Sequence, residues 1–409
     1  MLRKKHAHWY VPIIVTLFVG TSSVEASERH FRLFWWHPMP MDYRLPLFRL
    51  MEQRYAIEYF FLRRNDAYAP GAAHYSVSPN RGFALRPGTI ANEDARVIID
   101  GVRRADVFVT SFLSNAYSAL GAWHAKRAGK RVVVWEELNR FVPGSARAMA
   151  RRGLYAACAR FVDAFYVLGV PQIDALRQLG VPRERIFVAN ECPGHDYSQV
   201  PADPVDLDID ASAPVFLFLG RFIEVKGVEY LLRAFAEVRQ RHPRAQLVLA
   251  GDGPLREPLM AVARALKLEG VRFLGFVSDI GSKSWLMQRA CALVVPSIHT
   301  ERVNEGGPLV VLEALSAGLP VIGTTALGSS TDKIIEGVGG HVVRERDAAA
   351  LARAMSGLLE RAPQNRALVR DTFVRLPGHA HQAAQLQGAI EHALRRGQPR
   401  GAPSARAHA

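Results

Sequence analysis

Glu305 and Glu313 bracket the stretch Glu-Gly-Gly-Pro-Leu-Val-Val-Leu-Glu. Ionised carboxylates only accept hydrogen bonds, so hydroxyl groups, such as those of a sugar and a ribose, are their natural partners. Between them Gly306 and Gly307 make a turn, and Pro308 suits the first position of a helix, where its missing N–H costs nothing. The apolar run from Leu309 to Leu312 predicts a buried helix. Gly318 stops it in the left-handed conformation and Pro320 prevents its resumption. Val321-Ile-Gly-Thr-Thr then reads as a strand. A helix N-terminus at the end of a buried strand is a ready anion site, because its free N–H groups and dipole favour phosphate. Hydroxyl-binding carboxylates flanking such a turn predict a nucleotide-sugar pocket.

Two cations belong to the same expectation. The apolar strand Val215-Phe-Leu-Phe-Leu runs into Gly220-Arg-Phe-Ile-Glu-Val-Lys-Gly227, and Val228, Leu231, Leu232, Phe235 and Val238 then recur at helical spacing. Arg221 leaves the strand end and Lys226 precedes the helix. Together they can neutralise a diphosphate, Arg with paired donors and Lys as a point charge. After the next strand, Gln246 to Ala250, Gly251-Asp-Gly-Pro254 is a tight turn into a helix, with Asp252 a candidate cap. Strand Val271 to Leu274 leads to Gly275-Phe-Val-Ser-Asp279, and strand Ala292 to Val295 leads to the loop carrying Glu305.

At these residues the sequence resembles the retaining glycosyltransferases of family four. The shared features are Glu-x7-Glu at 305 and 313, Gly-Arg…Lys-Gly at 220–227 and Gly-Asp-Gly-Pro at 251–254. The likeness is nearly continuous from about Phe216 to Val343 and only architectural before that. It implies the GT-B fold, an α/β architecture of two Rossmann-like domains whose parallel sheets face an interdomain cleft. It also implies a sugar moved from a nucleotide-diphosphate donor, of UDP or GDP type, to a glycan, lipid-linked saccharide or small-molecule acceptor, with retention of configuration. Arg221 and Lys226 would hold the diphosphate, Glu305 the transferred sugar and Glu313 the ribose. Phe276 falls where relatives hold the base. Gly220, Gly251, Gly253, Gly306, Gly307 and Leu309 complete the donor side. The resemblance requires no cofactor and no dedicated base, because the leaving phosphate helps to deprotonate the acceptor; no metal is expected either, since the only carboxylate cluster of the sequence lies in the linker.

The elements that must position these residues alternate strand and helix in both halves, which predicts parallel sheets covered on both faces. In the first half, strands fall at Phe31–Trp36, Ile57–Leu62, Ala105–Thr110, Arg131–Trp135, Ala164–Leu168 and Ile186–Ala189. Ligands of such sheets sit outside the C-terminal strand ends. The acceptor-side candidates are therefore Asp42, Tyr43 and Arg44, then Ser111 and Asn115, then Glu136 and Glu137. Two departures from the family fall here: Met-Asp-Tyr-Arg replaces a Gly-Gly pair after the first strand, and Trp135-Glu136 stands where many relatives carry histidine.

The expected domains are 28–195 on the acceptor side and 214–378 on the donor side, with a linker at 196–213. A helix at 379–396 crosses back, and a tail occupies 397–409. Asp206-Leu-Asp-Ile-Asp210 reads as solvated linker and not as a metal site. Residues 1–27 have the outline of a signal or membrane-targeting segment, with Arg3-Lys4-Lys5 before an apolar run too short to span a bilayer comfortably. An exported enzyme would meet no nucleotide sugar, so the motifs favour the cytoplasm and the inner membrane face.

The 409 residues are 49% hydrophobic and 22% charged, enough apolar surface for two cores. Lys plus Arg number 52 against 38 acidic residues, a net charge of +14 that favours anionic partners. The basic stretch Ser145 to Arg160, with Arg147, Arg151 and Arg152, is the candidate for peripheral membrane contact. The charge is dispersed and no nucleic-acid module is recognisable, so nucleic acid is not an expected partner. Cys158, Cys192 and Cys291 form neither a disulfide framework nor a metal-ligand spacing and fit a reducing compartment. The alternatives are a non-catalytic sugar-nucleotide-binding protein on the same scaffold and a sugar-nucleotide epimerase.

Overall fold

The computed structural model describes residues 31–38, 41–61, 92–138, 146–206, 210, 212–300, 304–360 and 365–396. The segment 1–27, the middle of the Asp206–Asp210 run and the 397–409 tail lie outside them. Among the described residues the first half alternates β1 (Arg32–His37), α1 (Leu45–Glu52), β2 (Ala56–Phe61), α2 (Asn92–Arg104), β3 (Val107–Ser111) and α3 (Ala116–Arg127), followed by β4 (Arg131–Glu136), α4 (Ala146–Ala159), β5 (Ala164–Val167), α5 (Val170–Arg177) and β6 (Ile186–Val188). Its strands pair in parallel in the order β2-β1-β3-β4-β5-β6. Successive side chains point to opposite faces, so both faces must be covered. Phe34, Trp36, Phe108, Val132 and Val134 pack on one side of the sheet. Leu33, Trp35, Val107, Val133 and Trp135 pack on the other.

The second half contains β7 (Val215–Leu219), α6 (Val228–Arg241), β8 (Gln246–Ala250), α7 (Arg256–Ala265), β9 (Val271–Gly275) and α8 (Ile280–Arg289). Then come β10 (Ala292–Val295), α9 (Leu309–Ser316), β11 (Val321–Thr324), β12 (Gly340–Val343), α10 (Ala348–Glu360), α11 (Arg366–Val374) and α12 (His379–Arg395). The strand order is β12-β11-β10-β7-β8-β9, again parallel. The stripe of α6 buries Val228, Leu231, Leu232, Phe235 and Val238 against Phe216 and Phe218 of β7. Helices α2, α8, α10 and α11 stand where the sequence reading marks none. In α2 the reason is visible: the buried stripe Asp94, Ile98, Val102 begins with a carboxylate. Asp94 accepts from Tyr117 Oη at 3.0 Å, so a satisfied polar group occupies a position that apolar periodicity would need.

The two halves are joined by two neighbouring crossovers. On the outward path a Cβ on Gly194 would lie 3.1 Å from the Cα of Tyr43. On the return path the His379 ring meets the Tyr43 carbonyl oxygen at 3.2 Å. Helix α12 then lies on the first sheet, burying Ala383, Leu386, Ala389, Ile390 and Ala393 with Trp35, Trp135 and Tyr166. Beyond the outward crossover, residues 196–203 run over the second half. Ser284 of α8 donates to the Val200 carbonyl at 2.9 Å, and the Asp203 N–H donates to Gly281 O at 3.1 Å.

Candidate active-site cleft

Strand β10 pairs directly with β7, so the loops at their C-terminal ends are neighbours. That adjacency brings Lys226 Nζ to 2.6 Å from Glu305 Oε2, with side chains 15% and 14% exposed. Lys226 ends a 3-10 turn, Glu224–Lys226, closed by Gly227 at φ 59°. The turn is tied to the β10 loop by the Ile298 N–H, which donates to Val225 O at 2.9 Å. Ser297 Oγ donates to the same Glu305 oxygen at 3.2 Å. A partly buried pair held by a third group is fixed in direction more firmly than a surface ion pair. Arg221 leaves the end of β7 and is exposed.

Glu313 sits on the second turn of α9. The helix begins one residue later than the sequence suggests: Pro308 is its N-cap, at φ −67° and ψ 114°, and Leu309 its first helical residue. Gly318 follows the last turn at φ 69°. The Tyr197 phenol donates to Glu313 Oε1 at 3.5 Å. Burial raises the pKa of the Glu313 carboxyl, against the opposing pull of Lys283 and the Tyr197 hydrogen bond.

The donor-side glycines divide into two kinds. A Cβ on Gly251 would stand 1.8 Å from the Gly220 carbonyl oxygen, and one on Gly253 2.6 Å from the Phe222 oxygen. Those glycines are required by the approach of the β7 and β8 turns to each other. Asp252 does not cap α7, whose N-cap is Leu255; its carboxylate accepts from the adjacent Gly253 N–H at 2.8 Å. Gly306 and Gly307 are different, because they face side chains of other elements, Gly306 across the cleft and Gly307 within the second half. A Cβ on Gly306 would come 2.7 Å from Glu137 Oε2 of the first half, and one on Gly307 2.0 Å from Ser329 Oγ. Phe276, directly after β9, is 53% exposed.

Across the cleft, Arg44 is the centre of a buried cluster at the ends of β1, β4 and β6. Its guanidinium lies 2.9 Å from Glu137 Oε1 and 3.9 Å from Glu191 Oε2. It stacks 4.5 Å from the Trp135 ring centre and 5.2 Å from that of Tyr43, and it donates to the His37 ring. Burial pushes the Glu191 carboxyl up to about 7, with Arg44 pulling down and Glu137 pushing up. Asp42 belongs to the same 3-10 turn as Tyr43 and Arg44, and its side chain lies outside the described residues. Glu136 is drawn inside the domain instead. It accepts from the Leu113 and Glu137 N–H groups, each at 3.0 Å, and from the Tyr155 hydroxyl. These partners hold the β3 and β4 loops together, and the carboxylate that reaches the cleft is that of Glu137. Asn115 caps α3, accepting from the Tyr117 N–H at 2.9 Å. Glu191, which the sequence motifs do not single out, follows β6 as Arg44 follows β1.

Among the described residues no group of three or more His, Cys, Asp or Glu side chains could hold a metal ion. No described helix is long and apolar enough to cross a membrane. Cys158, Cys192 and Cys291 are free thiols.

Residues 213–361 match the family described as Glycosyl transferases group 1, so this part of the chain is a domain of that kind. The glycogen synthase of Mycobacterium tuberculosis is 35% identical over 145 residues, 35% of this chain and 33% of that protein. The phosphatidyl-myo-inositol mannosyltransferase of Mycobacterium leprae is 35% identical over 180 residues, 41% of this chain and 46% of that protein. The chain therefore spans only a third to under a half of the length of these curated relatives. In three dimensions it superposes on Anabaena HepE, solved with UDP and glucose, with a TM-score of 0.64 at 18% identity. That superposition covers 88% of this chain and 100% of the other. With its two parallel six-stranded sheets, the chain has the α/β GT-B fold of these proteins.

Proposed function

We propose that this protein is a retaining glycosyltransferase that moves a sugar from a nucleotide-diphosphate sugar to an acceptor hydroxyl. The observation that carries the reading is the contact between Lys226 and Glu305 at 2.6 Å. It joins the cationic loop after β7 to the Glu-Gly-Gly-Pro loop after β10, so a diphosphate and its attached sugar can be held at one place. The group 1 domain and the UDP complex of HepE support a nucleotide-sugar donor.

In this reading Lys226 and Arg221 neutralise the diphosphate, and Glu305 orients the transferred sugar through its hydroxyls. Glu313 accepts from the ribose hydroxyls, and Phe276 lies toward the base. Gly306 and Gly307, with the N-terminus of α9, bring backbone N–H groups to the phosphate. The bond from the anomeric carbon to the diphosphate breaks, and its electron pair goes to the leaving oxygen. The acceptor oxygen bonds to the same face of that carbon, and its proton passes to the departing diphosphate. Charge grows on the leaving oxygen, where fixed cations are worth most. Two protein cations at the diphosphate supply that charge without a metal ion. Domain closure about the crossovers, between 28–195 and 214–378, excludes water and favours transfer over hydrolysis.

Tyr43, Arg44 and Glu137 line the acceptor side, with Asp42 in the same turn. A saccharide or lipid-linked acceptor agrees with the phosphatidyl-myo-inositol in the name of the mannosyltransferase relative. Helix α4 exposes Met149 and Leu154 beside Arg152, which supports peripheral contact with an anionic membrane face. The decisive experiment is a thermal-shift screen against UDP- and GDP-sugars, followed by NMR of the product's anomeric proton. A stabilising donor and a product of the donor's own anomeric configuration are expected. An inverted product would overturn the retaining assignment. No stabilisation by any nucleotide sugar would overturn the donor assignment.

A further inference from the structure

The outward crossover reaches the donor site within three residues. Gly194 still rests on the first domain, against Tyr43. Tyr197 is already inside the second, 2% exposed and packed with Val311 and Leu315 of α9. Its backbone N–H donates to Ser316 Oγ at 3.1 Å, and the Ser316 hydroxyl donates to the main-chain oxygen of Glu313 at 2.7 Å. Its phenol donates to Glu313 Oε1 at 3.5 Å. Asp196, one residue earlier, pairs with Arg370 of α11 at 3.0 Å. The crossover is thus fastened on both sides of the Tyr197 ring, and the ring is fastened to one carboxylate.

That carboxylate has other neighbours, but none among the described residues gives it a plane. Lys283 of α8 and Tyr43 of the first domain lie within electrostatic reach of Glu313. An ammonium attracts a carboxylate as a point charge, with little preference for direction. The last torsion of a glutamate is broad, so its two oxygens are easily turned. The phenol at 3.5 Å from one oxygen restricts this freedom and leaves the other oxygen for a ligand. Reading two adjacent hydroxyls requires that kind of fixed geometry.

We propose that Tyr197 is a positioning residue: its phenol fixes the plane of the Glu313 carboxylate, so that the chain crossover makes the site selective for a ribonucleotide over its 2′-deoxy counterpart. The proposal rests on Glu313 being the ribose-binding carboxylate. Tyr197 belongs to neither sheet, so its effect joins the hinge of the molecule to the nucleotide pocket.

The test is a set of calorimetric dissociation constants for UDP, GDP and their 2′-deoxy counterparts. They are measured on the full chain as wild type, Tyr197→Phe and Glu313→Ala. The wild type is expected to bind the better ribonucleotide at least about tenfold more tightly than its deoxy form, the range of a hydrogen bond to a charged group. Glu313→Ala should bring that ratio close to one. Tyr197→Phe should lower it severalfold, whereas a merely structural role would weaken both nucleotides equally and leave the ratio alone. An unchanged ratio in Tyr197→Phe, beside a collapsed ratio in Glu313→Ala, overturns this inference and leaves the ribose assignment standing. A wild-type ratio near one, a ratio kept by Glu313→Ala, or no binding of either nucleotide overturns the ribose assignment itself. If Tyr197→Phe melts early, Ser316→Ala removes the acceptor of the Tyr197 N–H and should lower the same ratio; a ratio it leaves intact counts against the inference.

Discussion

The Lys226 ammonium and the Glu305 carboxylate meet at 2.6 Å although each is fixed to a different strand end. The contact exists because β7 and β10 are hydrogen-bonded neighbours in the sheet. Each charge therefore has a partner and a fixed position at the C-terminal edge of the sheet.

Lys226→Ala should reduce transfer by about a hundredfold or more at saturating donor, the usual cost of losing one charge-stabilising group. Binding of UMP or GMP, which lack the terminal phosphate, should change much less. Steady-state rates and calorimetry on the same preparation check both halves. A variant with parental turnover would remove Lys226 from the chemistry.

If Arg221 and Lys226 provide the positive charge at the diphosphate, as proposed, transfer should continue undiminished after exhaustive treatment with EDTA. Activity that is lost to chelation and restored only by a divalent ion would contradict this.

Gly251→Ala tests whether that glycine serves packing or ligand contact. Its new Cβ would fall 1.8 Å from the Gly220 carbonyl oxygen, and backbone cannot step aside cheaply. A loss of at least about 1–3 kcal/mol, read as a lower melting temperature, is expected. Unchanged melting with weakened nucleotide binding would assign the glycine to the ligand instead.

Arg44→Ala should destabilise the protein by about 3–5 kcal/mol in urea unfolding, since it removes the buried cation that pairs with Glu137 and faces Glu191. Adding Glu191→Gln to that variant should recover a substantial part of the loss. Strict additivity of the two changes would show that the guanidinium and Glu191 do not interact.

The raised Glu191 pKa has a pH signature. Its carboxyl holds a proton up to about 7 in the folded protein, whereas in the unfolded chain it ionises in the usual carboxylate range. The folded state then binds more protons than the unfolded one, so stability falls as pH rises through this window and levels off above it. Arg44, Glu137, Tyr166, Cys192 and Tyr43 are the groups that face it. The melting temperature of wild type, relative to Glu191→Gln, should decline between about pH 5 and 7.5. A flat difference would place Glu191 in contact with water.

The sequence alone determined the alternating α/β architecture and the loops that carry Arg221, Lys226, Glu305 and Glu313. Strand and helix periodicity, glycine turns and helix stops are local, so they are written in neighbouring residues. Helix α2 escaped this reading because the buried Asp94 interrupts its apolar stripe. The choice between Glu136 and Glu137 was equally illegible, since a shift of one residue at a strand end reverses the direction of a side chain. Only the tertiary structure turned Glu136 inward to Leu113 and Tyr155 and left Glu137 against Gly306. It alone gathered Arg44, Glu137 and Glu191 from the ends of three strands, and brought Tyr197 out of an apparent linker onto Glu313. Those contacts depend on which strands are neighbours and where the chain crosses between sheets, and no local pattern of residues encodes either.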